Sequence, residues 1–90
     1  MSEMRSENGR FYFEEKGTTT AEVSFSPMGV QVISIDHTFV SPSLRGKGIA
    51  EQLIRGVISH ARSENLKIIP SCSYAEHHFD KFPEDRDVLQ

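Results

Sequence analysis

One helix governs what this chain can fold into. Ile49, Ala50, Leu53, Ile54, Val57, Ile58 and Ala61 recur at spacings of one, three and four, which draws one continuous apolar face. From residue 48 to 64 such a helix runs roughly 25 Å, and Asn65 suits a left-handed stop at its end. Runs with strand character flank it, residues 30–40 before and 67–72 after. A strand, a crossover helix and a second strand form a right-handed unit whose two strands are parallel. A sheet with a helix laid across it is therefore built into the middle of the chain.

The remaining segments extend that sheet by hairpins. Residues 1–8 are polar and expected to fray. Residues 10–15 read as a strand with Phe11 and Phe13 on one face and Arg10, Tyr12 and Glu14 on the other. Lys16-Gly17 is a short turn, and residues 18–26 form a second strand in which Ala21, Val23 and Phe25 alternate with Thr20, Glu22 and Ser24. Ser26-Pro27-Met28-Gly29 reads as the next turn. Connections this short imply antiparallel pairing.

In residues 30–40, alternation places Val30, Val32, Thr38 and Val40 on one face and Ile33, Ile35 and Phe39 on the other, as for a central strand covered partly on each side. Asp36 and His37 interrupt the apolar run, and the same alternation sends them to opposite faces. Pro70 has no N–H to give a ladder, so it marks an edge, a bulge or a place where strands separate. Ser73 and Glu76 are spaced as a capping box for a helix over residues 74–81, anchored by Phe79 and Phe82 and stopped by Pro83. Residues 83–90 form a polar tail whose Val88-Leu89 is apolar enough to dock. The expected class is α+β: a mixed, mostly antiparallel sheet of about four strands, a parallel β-α-β unit, one long helix and one short C-terminal helix.

Composition narrows the function. Ninety residues suit one domain, 1–90, and 37% hydrophobic with 26% charged residues is the balance of a soluble globular chain. A net charge of −3 weighs against a general nucleic-acid binder. No apolar run approaches the ~20 residues of a membrane helix, and Met1-Ser2-Glu3-Met4-Arg5 lacks the apolar core of a secretory signal. The single cysteine allows neither an intrachain disulfide nor a multi-cysteine zinc site. His77 and His78 are adjacent and diverge by about 100° on a helix, so no metal is expected. These features point to a cytoplasmic protein, monomeric or weakly dimeric.

Between the strand and the long helix lies Val40-Ser41-Pro42-Ser43-Leu44-Arg45-Gly46-Lys47-Gly48-Ile49-Ala50. Its two glycines allow a tight turn and close approach to the main chain. A helix N-terminus leaves N–H groups unpaired and carries partial positive charge. Arg45 and Lys47 add cations, although exposed cations near loops also serve solubility. Physics alone makes this loop an anion cradle suited to a diphosphate.

The same residues resemble a known motif. Arg45, Gly48 and Ala50 fill the three defined places of the acetyl-CoA-binding signature Arg/Gln-x-x-Gly-x-Gly/Ala of the GNAT acetyltransferase superfamily, and Val40-x-Pro42 matches its approach. The flanking strand, long helix, second strand and second helix follow that family's order. The resemblance, covering about residues 30–82, implies that backbone N–H groups of Arg45, Gly46, Lys47, Gly48, Ile49 and Ala50 hold the CoA pyrophosphate. It implies that the pantetheine arm pairs with the backbone at Phe39 and Val40, and that the two parallel strands splay where the thioester sits. The chain looks most like very small members with His-Thr-x-Val before the loop and Pro-x-Cys after it, here His37-Thr38-Phe39-Val40 and Pro70-Ser71-Cys72. Larger members carry one or two helices between the first two strands, which shape the acceptor site; here only Lys16-Gly17 stands there. Their C-terminal strand pair is missing or reduced to the tail.

Acetyl transfer to an amine needs a base, a polarised carbonyl and a proton for the departing thiolate. His37 is the candidate base, since imidazole exchanges protons near neutral pH; its bland alternative is a hydrogen bond at a strand end. Asp36 is a second candidate base. Cys72 can accept an acetyl group or protonate the leaving thiolate, or simply be a small buried hydrophobe. Tyr74, at the start of the second helix, is a candidate acid. The sequence thus reads as an acetyl-CoA-dependent N-acetyltransferase acting on an unidentified amine. The competing readings are a non-catalytic CoA-binding module and a Cys72-dependent, hydrolase-like enzyme acting on acetyl thioesters.

Overall fold

Runs of β-branched and aromatic residues pair into a single sheet. In the computed structural model, which describes residues 3–90, its strands are β1 (Arg5–Glu7), β2 (Arg10–Glu15), β3 (Thr18–Gly29), β4 (Val32–Val40) and β5 (Lys67–Pro70), side by side in that order. All neighbours are antiparallel except β4 and β5, which are joined by helix α1 (Ile49–Glu64) as the crossover. A second helix, α2 (Ser73–Lys81), and a 3-10 turn (Pro83–Val88) complete the described chain. None of these helices is long and apolar enough to cross a membrane.

The helix expected from apolar spacing forms as read. Ile49, Leu53, Ile54, Val57, Ile58 and Ala61 are its buried residues, packed with Ala21, Val23, Ile35 and Ile68 of the sheet in one core. Fully burying a side chain the size of Leu53 stabilises by about 1.5–3 kcal/mol. Asn65 ends the helix in the left-handed region at φ 57°, where a short polar side chain is tolerated better than most.

Several expectations are corrected. The sheet has five strands rather than about four, because Arg5–Glu7 pairs with Arg10–Tyr12 across the Asn8-Gly9 turn instead of fraying; Met1 and Ser2 lie outside the described residues. β3 runs through Ser26-Pro27-Met28-Gly29, and the turn falls at Val30-Gln31, with Gln31 at φ 59°. Pro27 is accommodated because Phe25, two residues earlier, donates to Gly9, so the nitrogen of Pro27 faces the side where β2 has already ended and no ladder donor is needed.

The third correction matters most. Ser24 pairs with His37 while Phe25 pairs with Ile35, so Asp36 is an extra residue in β4. This bulge breaks strict alternation. The buried face therefore takes Ile33 and Ile35 before it and Thr38 and Val40 after it, while Asp36, His37 and Phe39 are all exposed. Asp36 and His37 share one side of the sheet.

Among the described residues, no helix covers that outer side. Tyr12 and Glu22 are direct partners there, as are Glu22 and Phe39 in the next pairing. The guanidinium of Arg10 lies 3.7 Å above the Tyr12 ring and donates to Glu22, Glu7 and Thr19. A flat lattice of charged side chains thus covers the aromatic ring. Burial and the neighbouring Glu7 carboxylate push the Tyr12 phenol upward, so it stays protonated as a donor to Glu7.

The C-terminus also differs in detail. Cys72, not Ser73, precedes the first helical residue of α2, and no side-chain cap bond forms. The tail docks as its apolar residues suggest: Val88 is buried, Leu89 forms a bridge with Ile68, and the Gln90 N–H reaches the Ile68 carbonyl at 3.2 Å.

Candidate functional site

Strands β4 and β5 part company at Pro70. Their register runs from Val32 opposite Lys67 to Ile35 opposite Pro70, and one further bond follows, from the Ser71 N–H to the Ile35 carbonyl at 3.0 Å. Beyond it β4 continues to Val40 paired with β3 alone. A stretch of β4 backbone from residue 36 to 40 is thereby left facing a gap instead of a strand. The N–H groups of Lys67 and Ser71 point to β4 and the Ile68 carbonyl points to the tail, so the donor that Pro70 lacks belongs to the outer edge of β5.

The gap leads into the glycine loop. After a 3-10 turn (Pro42–Leu44), Gly46 and Gly48 adopt φ of 81° and 74°, the region that favours glycine. A Cβ added at either would meet nothing within 4 Å, so the absence of side chains leaves free space against the main chain. The first intrahelical bond of α1 runs from Gln52 N–H to Gly48 carbonyl at 3.1 Å, which leaves the N–H groups of Ile49, Ala50 and Glu51 ahead of it. Two adjoining clefts, of about 180 and 340 Å³, share Gly46, Gly48, Ala50, Glu51 and Tyr74 as lining. The first reaches back to Val40, and the second continues between α1 and α2 to His78 and Phe82.

The cations of the loop behave differently. Arg45 folds back so that its Nε donates to the Val40 carbonyl at 3.2 Å, clamping the strand end to the loop. That bond engages the Val40 carbonyl, which faces the gap; the Phe39 main chain lies on the same side as the Ser41 N–H bonded to Thr20, and so faces β3. Lys47 is exposed. Glu51 brings an acidic group into the first turn of α1, answered by Arg55 one turn on at 3.5 Å.

The candidate reacting groups sit on two sides of the split. His37 is exposed on the outer side, next to Asp36, whose carboxylate accepts from the Ser26 hydroxyl at 2.6 Å. Cys72 is half-buried on the helix side, with its Sγ 3.3 Å from the Thr38 hydroxyl. That bond ties the ends of β4 and β5 through side chains where the backbones no longer pair. Tyr74 lies in the first turn of α2, is 41% exposed, and lines both clefts. Cys72 and Tyr74 therefore share the helix side of the sheet, although only Tyr74 lines the clefts, while His37 lies on the opposite face.

One cluster escaped the sequence reading. Asp85, in the Pro83–Val88 turn, is 3% exposed. Its carboxylate accepts from His78 Nε2 at 2.8 Å, Arg62 at 3.1 Å and Arg55 at 3.2 Å. Burial alone would raise this carboxyl, but the hydrogen bonds from His78 and Arg62 and the charge of Arg55 hold it below the usual carboxylate range. Arg55 and Arg62 are seven residues apart, on one stripe of a helix, and that spacing was the only available signal.

A model of the GCN5-related N-acetyl-transferase family matches residues 10–88, from β2 through the C-terminal turn. The chain belongs to the GCN5-related N-acetyltransferase family. It is similar to the solution structure of a GCN5-like protein from Staphylococcus aureus, at 37% identity and a TM-score of 0.83 over 98% of this chain and 87% of that one. It also resembles an N-acetyltransferase from Staphylococcus aureus Mu50, at 26% identity and TM-score 0.64, over 82% of this chain and 50% of that one. A GNAT family acetyltransferase from Brucella melitensis in complex with acetyl-CoA shares the fold at 21% identity and TM-score 0.61, over 81% of this chain and 50% of that one. The chain thus spans half the length of those two larger relatives. The family and the α+β class expected from the loop and its flanking elements both hold.

Proposed function

We propose that this single small domain, residues 1–90, uses acetyl-CoA to acetylate an amine. The observation that supports this best is adjacency: the part of β4 left without a β5 partner leads, through the Pro42–Leu44 turn, to the glycine loop and the first N–H groups of α1. A linear cosubstrate with an amide-bearing arm and a diphosphate presents complementary groups in that order. The residues fit it, because the open space over Gly46 and Gly48 lies against the main chain that would hold the diphosphate. Backbone N–H groups from Gly46 to Ala50 hold the phosphates there, and the edge of β4 ending at Val40 aligns the arm once Arg45 gives up the Val40 carbonyl.

When bound, acetyl-CoA supplies an acetyl group activated as a thioester. His37 removes the proton from the acceptor nitrogen as that nitrogen bonds to the acetyl carbon. Tyr74 or Cys72, on the helix side of the sheet, returns a proton to the sulfur as the carbon–sulfur bond breaks. Positioned acid–base groups of this kind contribute about 10²–10⁴-fold each. The test is release of free CoA thiol from acetyl-CoA across a panel of amines, with acetylated product confirmed by mass.

A second reading is a CoA-binding module without turnover. It is favoured by the outer face, where two-residue turns, Asn8-Gly9 and Lys16-Gly17, connect β1 to β2 and β2 to β3, and among the described residues no helix stands over His37. CoA binding with no thiol release on any amine decides for it. A Cys72-bound acetyl group, the third route, is read as a mass increase that Cys72→Ala abolishes.

A further inference from the structure

The Asp85 cluster joins three elements around one wall of the proposed cosubstrate groove. Asp85 belongs to the C-terminal turn, Arg55 and Arg62 to α1, and His78 to α2. One carboxylate oxygen accepts from both His78 and Arg55, and the other accepts from Arg62. Arg62 also donates to Asp87, at 2.6 and 3.1 Å, so the turn is held to α1 at two points. The larger cleft runs between these same helices, and His78 and Phe82 line it.

Arg55 is the shared member. Its guanidinium donates to Asp85, lies 4.5 Å over the Phe82 ring and reaches back to Glu51 at 3.5 Å. Glu51 lines both clefts beside the helix N-terminus, where its negative charge opposes a bound anion unless a cation answers it. Asp85 keeps Arg55 between the two carboxylates. Without that carboxylate, His78 and both arginines lose their common acceptor, and the α1–α2 spacing loses its tie.

We infer that Asp85 is a positioning residue for the cosubstrate groove: docking of the C-terminal turn sets the α1–α2 wall and holds Arg55 against Glu51, so tail docking and anion binding favour each other. The inference rests on the groove holding CoA. Coupling of this kind is reciprocal, because whatever factor tail docking adds to CoA affinity CoA must add to tail docking.

CoA itself is the probe, with binding measured by calorimetry at a temperature where circular dichroism shows each variant folded. Asp85→Asn keeps the shape and removes the charge, and is expected to weaken CoA binding about tenfold. In the unsubstituted protein, saturating CoA is expected to slow hydrogen exchange at the Gln90 amide, which is bonded to the Ile68 carbonyl, by a similar factor. A purely structural role for Asp85 would lower the melting temperature of the variant and leave that exchange rate unmoved. Unchanged exchange at Gln90 in the CoA-saturated protein overturns the inference, and so does Asp85→Asn binding CoA within twofold of the unsubstituted chain. Failure of the unsubstituted protein to bind CoA is a separate result, which removes the groove assignment and this inference with it.

Discussion

Replacing Gly48 with alanine separates the cost of the fold from the cost of the ligand. Gly48 sits at φ 74° and Gly17, in the β2–β3 turn, at φ 79°; a Cβ on either meets nothing within 4 Å. Neither substitution creates a clash, and both force an L-residue into the left-handed region, at about 1 kcal/mol each. In a chain of this size that lowers Tm by about 4–8 °C. The two variants should therefore lose similar stability. Of the two, Gly48 lines the clefts at the start of α1 and Gly17 lines neither. Gly48→Ala should then weaken CoA at least about tenfold, or 1.4 kcal/mol, while Gly17→Ala binds as the unsubstituted protein does. Calorimetric titration with CoA beside a thermal melt reads both quantities. Gly48→Ala binding with full affinity, or both variants losing affinity equally, would refute the reasoning.

Three further outcomes are expected. His37→Gln should lower kcat by about 10²–10⁴-fold with CoA affinity unchanged; if Asp36→Asn produces that fall instead, Asp36 on the same face is the base. Leu53→Ala removes a side chain with no exposure and should cost about 3 kcal/mol in denaturant unfolding, a loss below 1 kcal/mol being inconsistent with the core described. Asp85 has its carboxyl held below the ordinary value when folded, so the unfolded chain binds the proton more readily. Its stabilisation is complete above the ordinary carboxylate value near pH ~4 and is lost as pH falls through the lower folded value. Acid unfolding followed by circular dichroism should show this as a slope that Asp85→Asn reduces, and an unchanged slope would reject it.

The parts of the fold that were legible are those set by local chemistry. The period of Ile49 to Ala61 needs only the helix itself, Asn65 needs only its own backbone, and Pro70 lacks its N–H in any surroundings. Such signals survive where the surroundings agree with them; the equally local turn signal of Ser26-Pro27-Met28-Gly29 is overridden by pairing with β4. The bulge at Asp36 is different: it exists only in the register between β3 and β4, so alternation along one strand could not show it. Arg5–Glu7 has no apolar pattern of its own and becomes a strand because β2 offers an edge. The loop end of the candidate site was readable for the same reason as the helix, since glycines and a helix N-terminus act locally. The burial of Asp85 was not, because a charged residue in a polar tail looks solvated until His78, Arg55 and Arg62 are brought to it.

The two margins of the sheet bear on how copies of this protein meet one another. An open strand edge invites a second chain to add to it. Leu89 and Gln90 lie along the outer edge of β5 at Ile68, occupying main-chain positions that a neighbouring copy would use. At the far margin β1 is three residues long and exposed throughout, with Arg5 and Glu7 flanking Ser6, too short and too charged to template much pairing. The docked tail therefore covers one edge against strand addition, while brevity and charge blunt the other.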